Sequence, residues 1–116
     1  MIIHGKERKF RATVGAMAEI AQLCPGGDLG KLDQALTGSF AEVIGTMAKV
    51  IVALNKGYES AMRFEAPELK QEPLTLDEVL SLTKSEIALL QAEAKAAMAG
   101  DVKTQVDAEP LKKTKE

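Results

Sequence analysis

The stretch Phe40-Ala-Glu-Val-Ile-Gly-Thr-Met-Ala-Lys-Val-Ile-Val-Ala-Leu54 carries the strongest periodic signal in the chain. Phe40, Val43, Ile44, Met47, Val50, Ile51 and Leu54 recur at three- and four-residue steps. That spacing predicts a helix with one apolar face that must be covered. Ser39 and Glu42 stand three apart at its start, where a hydroxyl and a carboxylate can satisfy each other's backbone N–H groups in a capping box. Asn55-Lys56-Gly57 reads as a C-terminal stop. The apolar pattern resumes through Tyr58, Ala61 and Met62, so the predicted end falls between Leu54 and Phe64.

Upstream, Pro25-Gly26-Gly27 breaks a short helix predicted over Gly15 to Leu23, whose Met17, Ile20, Ala21 and Cys24 turn inward. Asp28 is placed to cap a second short helix running through Leu29, Leu32 and Leu36, which Gly38 ends. The first fourteen residues read as a β-hairpin. Gly5-Lys6 supplies a two-residue II′ turn with glycine at the position of positive φ. Phe10, Ala12 and Val14 then alternate with Lys9, Arg11 and Thr13, the period of a half-buried strand. Met1 and Ile3 share the apolar face in that register. Two strands alone are marginally stable, so this face belongs against the helices.

Downstream, residues 65–73 form a polar connector held open by Pro67 and Pro73. Two capping boxes follow, Thr75 with Glu78 and Thr83 with Glu86. Leu74 with Val79, and Leu82 with Ile87, stand where hydrophobic staples would bridge them. Helices are predicted over 76–82 and 84–99, with Gly100 as the terminal cap. Ile87, Leu90, Ala94, Ala97 and Met98 make one side of the last. The fold class is therefore mainly α: a small helical domain with an N-terminal β-hairpin, α+β at most. It spans residues 1–100 and is followed by a flexible tail, 101–116, with Pro110 to Glu116 expected to be disordered.

The 116 residues include one His, one Cys, one Tyr and no Trp, which leaves few of the side chains that catalysis or metal binding recruits. His4 has no nucleophile to serve, and Cys24 lacks the spaced partners of a zinc site. A cysteine at a helix C-terminus faces the negative end of the helix dipole, which raises its thiol pKa, so Cys24 reads as a packing residue. Pro25-Gly26-Gly27-Asp28-Leu29-Gly30 follows a helix and lacks the Gly-Lys-Ser/Thr of a phosphate loop. Asp77, Glu78 and Glu86 are explained by helix capping. No catalytic residue, cofactor or metal is assigned, and an enzyme is not expected.

Formal net charge is −2. Residues 1–64 carry eight Lys or Arg against six acids, and residues 65–116 carry seven against eleven. Nucleic acid is not an expected partner, because such a surface neutralises few phosphates. No apolar run reaches the ~20 residues needed to span a bilayer, and no secretory succession opens the chain. A cytoplasmic location and no membrane partner are expected.

As a whole, the chain resembles the tail assembly chaperones of long-tailed phages and prophages. The likeness covers about residues 2–100. It rests on the Gly5-Lys6 hairpin leading into Phe10-Arg-Ala-Thr-Val-Gly-Ala-Met-Ala-Glu-Ile20, on the long helix with Ala53-Leu-Asn-Lys-Gly57, and on Pro73-Leu-Thr-Leu-Asp-Glu-Val79 with the closing helix. The resemblance implies a small, helical, non-enzymatic protein of the bacterial cytoplasm. Such a protein would coat the helical tape measure protein, or another phage tail protein, before the tail tube polymerises. The alternative reading is a structural head–tail connector or small helical adaptor retained in the particle. Self-association is also expected, since faces that bind a helical client can bind another copy. Val50, Val52, Met62, Leu89 and Met98 are the candidate protein-interface residues. Val52 and Leu89 fall off the main stripes, and the thioethers of Met62 and Met98 suit a surface that adapts to a partner.

Overall fold

The computed structural model describes residues 1–107, with side chains to residue 99. Strands β1 (Ile2–Ile3) and β2 (Lys6–Glu7) pair antiparallel. They precede helices α1 (Val14–Ala21), α2 (Leu32–Ala35), α3 (Phe40–Glu65), α4 (Leu76–Leu80) and α5 (Lys84–Asp107). The described chain is thus mainly helical with a short N-terminal hairpin, and α3 is its hub: α1, α4 and α5 all pack against it. At 26 residues α3 is ~39 Å long. Ile20, Ile51, Leu54, Leu74, Val79 and Leu90 are fully buried around it.

The hairpin turns one residue earlier than the II′ reading of Gly5-Lys6 places it. His4 and Gly5 occupy the two central positions with φ of 49° and 81°, the pair of positive values that defines a I′ turn. Ile3 consequently pairs with Lys6 and Ile2 with Glu7. This register buries Ile3 and leaves Ile2 in solvent, while Met1 packs beside Ile3 on the core. Histidine tolerates the left-handed region better than most residues, and its side chain gains a partner there. Ser81 donates its hydroxyl to the Glu78 carbonyl at 2.7 Å. Its oxygen therefore accepts from Nε2 of His4, also at 2.7 Å.

The second strand ends at Glu7 and does not continue to Val14. Residues 8–13 instead lie extended across α3, and the backbone N–H of Arg11 donates to the Leu54 carbonyl at 3.0 Å. Alternation of side chains survives in part, with Ala12 buried and Phe10 partly so, but Val14 is 88% exposed. Thr13 explains the break. Its hydroxyl accepts from the N–H of Ala16 and so starts α1.

Asn55-Lys56-Gly57 is not a helix stop, and α3 runs through it to Glu65. Asn55 is fully buried and its amide bridges two strap segments to the helix. Nδ2 donates to the Lys9 carbonyl at 3.0 Å, and Oδ1 accepts from the Leu74 N–H at 2.7 Å. Gly57 makes room for the first strap: a Cβ there would lie 2.6 Å from the Arg11 carbonyl oxygen and 2.7 Å from the Thr13 hydroxyl. Both residues resemble a cap in the sequence because polar side chain and missing side chain are the two things a strap needs when it crosses a helix closely.

The polar network continues outward from Asn55. Arg8, 2% exposed, donates from Nη1 to the Glu72 carbonyl at 2.6 Å and faces the Glu78 carboxylate at 3.8 Å. Buried Glu59 accepts from the Gln71 N–H at 2.7 Å, and the Gln71 side chain returns to the Glu7 carbonyl at 3.1 Å. Residues 7–11 and 71–74 are thus held to α3 and to each other by side chains that compete with water for buried backbone groups. All three capping boxes form, at Ser39–Glu42, Thr75–Glu78 and Thr83–Glu86. Helix α4 stops at Leu80, two residues short of the predicted end, and α5 passes Gly100 to Asp107 without capping there. The remainder of the expected tail, 108–116, lies outside the described residues.

Two glycines of α3 separate these effects. Gly45→Ala adds a Cβ with nothing within 4 Å and should stabilise by about 0.5–1 kcal/mol in urea unfolding. Gly57→Ala gains the same helix propensity but pushes against a backbone oxygen, and should destabilise by about 1–3 kcal/mol. Asn55→Ala removes both bridging hydrogen bonds and should cost about 2–4 kcal/mol. Amide exchange at Leu74 should accelerate with it beyond the change at Leu90, because Leu74 loses its own acceptor.

Candidate functional site

The apolar stripe of α3 is covered unevenly. Its middle and C-terminal half, from Met47 to Leu54 and on to Met62, is buried under α1, α4, α5 and the straps. Its first two turns are not. Phe40, expected in the covered face, is 64% exposed, and Val43 and Ile44 are half-buried. Lys84 lies beside Phe40, with its ammonium 5.6 Å from the ring centroid. From there α3 and α5 advance in the same direction, so that Met47 and Val50 border the same hollow as Ala94 and Met98.

Three hollows of ≈ 300, 250 and 280 Å³ lie end to end along this seam. The first, beside Leu80 and Leu82, shares Phe40, Ile44, Lys84 and Ile87 with the second. The second shares Met47 and Gln91 with the third, which Leu32 and Leu36 close from the α2 side. Together they form one apolar groove. Its floor is aliphatic and its charged rim groups are Lys84, Lys95 and Asp33. A surface of this shape and chemistry would release water on covering an apolar partner.

Of the sequence-predicted interface residues, the structure gathers two here: Val50 and Met98 both line the third hollow. Val50 is nonetheless only 2% exposed, so it forms the floor of the groove and offers a partner almost no surface. Met98 is half-buried and accessible. Val52 lines a separate hollow with Leu23 and Leu76, edged by Glu19, Gln22 and Lys49. Leu89, 60% exposed, borders none of these hollows. Met62 is buried on the C-terminal half of α3 and borders none of these hollows. Phe40, Ile44, Leu80 and Leu82 are groove residues that sequence reasoning did not place at an interface. The available signal was one of length: an eight-residue α1 and short α2 and α4 cannot cover a stripe that starts at Phe40 and continues to Met62.

Chemistry-bearing residues lie elsewhere and are occupied structurally. Cys24 is buried, and its thiol hydrogen-bonds the Ile20 carbonyl at 3.4 Å. Burial, and then the Asp28 carboxylate, push that thiol's pKa up, the same direction as the helix-end argument gives. No three His, Cys, Asp or Glu among the described residues are grouped to hold a metal ion. No described helix is long and apolar enough to cross a membrane. Comparison of the chain with known protein families, with characterised proteins and with solved structures finds no match in any of the three.

The groove's end is built from helix N-termini, and these tie its geometry to pH. Backbone and side-chain hydrogen bonds from Ser39 hold the Glu42 carboxyl below the usual range, and those from Thr83 do the same for Glu86. At α4 the Thr75 N–H is the largest cause of the lowered Glu78 value, followed by the Thr75 hydroxyl, Arg8 and His4. Each group is more acidic folded than unfolded, so the unfolded chain binds more protons as pH falls. The stability these groups contribute is fully present above ~4.3, the unfolded value, and is lost as pH falls through the lowered folded values. Urea midpoints should therefore decline across that window. The triple variant Glu42→Gln, Glu78→Gln, Glu86→Gln keeps the acceptor oxygens and should show a shallower decline.

Proposed function

We propose that this chain is a non-enzymatic interaction protein of the tail assembly chaperone type, whose client is the helical tape measure protein of a long-tailed phage or prophage. The apolar groove between α3 and α5 carries the reading. It presents aliphatic surface over several helical turns, with Phe40 and Leu80 already half or more exposed at one end. Helix-in-groove docking uses this arrangement, in which an amphipathic segment lays its apolar face onto a preformed trough. A tape measure protein is a long helix with such faces, and shielding them before the tube assembles would keep it from aggregating. The chaperone would act in the bacterial cytoplasm and leave before the particle is complete.

Co-expression with the tape measure protein of a long-tailed phage tests this reading. The client should move from pellet to supernatant and co-purify with this chain, and the chain should be missing from purified particles. Phe40→Asp places a charge on the exposed end of the groove without touching the core, and should return most of the client to the pellet. A stoichiometric presence in mature particles would point instead to a connector or adaptor. A client that precipitates regardless of this chain would overturn the chaperone reading.

A further inference from the structure

We propose that the groove between α3 and α5 takes an acidic amphipathic helix, seated with its apolar stripe on Phe40, Ile44 and Met98 and its carboxylates over Lys84 and Lys95. This rests on the reading of the groove as a protein-docking surface and names the kind of segment that fills it. The helical walls disfavour a strand that docks by backbone pairing. The groove walls are side chains of two helices whose backbone groups are satisfied internally, so an added strand would find no ladder to join. From Lys84 to Met98 the seam is ~21 Å long, the length of about four helical turns.

Charge selects the class of helix. Residues 65–99 contain seven acids and only three cations, Lys70, Lys84 and Lys95, and two of those three stand on the groove rim. Spaced eleven residues apart with Ala88 and Gln91 between, they mark one line along α5. Neither is in an ion pair among the described residues, whereas Lys56 and Arg11 are paired to Glu19 and Glu65. Asp33 is the one acid that lines any of the three hollows, and it lies at the α2 end. Glu42 and Glu86, in the first turns nearby, line none of the hollows and keep their charge, which the cap N–H groups and the positive helix ends of α3 and α5 partly offset. The groove lining therefore carries two cations to one acid in a chain that is acidic overall, and it steers carboxylates to the Lys84 and Lys95 line while disfavouring a basic helix there. At Lys84 the bound carboxylate also meets an ammonium that Phe40 partly shields from water, which strengthens the pair.

Two labelled 18-residue peptides test this on the full chain by fluorescence anisotropy. Both carry leucine at helical i, i+4, i+7 and i+11 positions; one has Glu at the flanking positions and the other Lys. The Glu peptide should bind about tenfold more tightly at low salt, a gap that narrows as salt rises. Lys84→Glu with Lys95→Glu changes two exposed side chains, should leave the melting temperature unchanged, and should reverse the order of the peptides. Phe40→Ala should weaken both. Equal affinities, or a preference that the double charge reversal does not move, would overturn the proposal. So would failure of both peptides to bind a chain that sediments as a dimer and is made monomeric by Phe40→Asp, since a second copy would then own the groove. The double variant separates this inference from the chaperone reading. If it still solubilises the large helical client like the wild type, the acidic-helix inference fails and the chaperone reading stands. If the wild type binds the Glu peptide but cannot hold the client, the outcome is the reverse.

Discussion

The carboxamide of Asn55 is the constraint on which the rest of the structure depends. It sits fully buried in the middle of α3 and accepts from one strap while donating to the other. A buried amide with unmade hydrogen bonds is costly, so the two straps are held where they satisfy it. Gly57 lets the first strap lie against the helix, and Arg8, Glu59 and Gln71 connect the straps to one another and to α4. These polar contacts add specificity more than net energy, because each exchanges a bond to water for a bond within the protein. They fix which half of α3 is sealed.

What is sealed defines what is left open. The straps, α1 and α4 cover the middle and far end of the long helix, and the near end relies on α5 and a four-residue α2. The groove follows from that imbalance. The Thr75 cap also connects the two regions: Glu78 bonds the Thr75 N–H and faces Arg8 in the strap network, while Val79 and Leu80 of the same short helix border the groove. The position of the groove wall is therefore set by the same contacts that pin the straps.

Local signals were legible wherever one short segment satisfies itself. The three capping boxes, the break at Pro25-Gly26-Gly27 and the apolar side of α5 were all readable, because a hydroxyl and a carboxylate three residues apart, or a stripe at helical spacing, need no distant partner. Apart from Thr13, whose partner Ala16 is three residues on, the misread residues answer to something far away in the chain. Thr13 looked like a strand residue and caps α1. Asn55 and Gly57 looked like a stop and instead receive straps from 46 residues upstream and 19 downstream. The hairpin shifted by one residue, and in the shifted turn His4 gains Ser81, 77 residues on.

The sequence by itself determined that this protein is mainly helical, where most of its helices begin, and that its core is aliphatic. Those features follow from periodicity, capping and composition, which act over a few residues. Only the tertiary structure decided that Val50 is the floor of a groove, that Met62 is buried and that Phe40 is exposed. An apolar stripe states that a face wants to leave water, and does not state which of its turns the fold has elements enough to cover. That depends on where the straps cross α3, and their crossing is fixed by hydrogen bonds between residues that no local pattern connects.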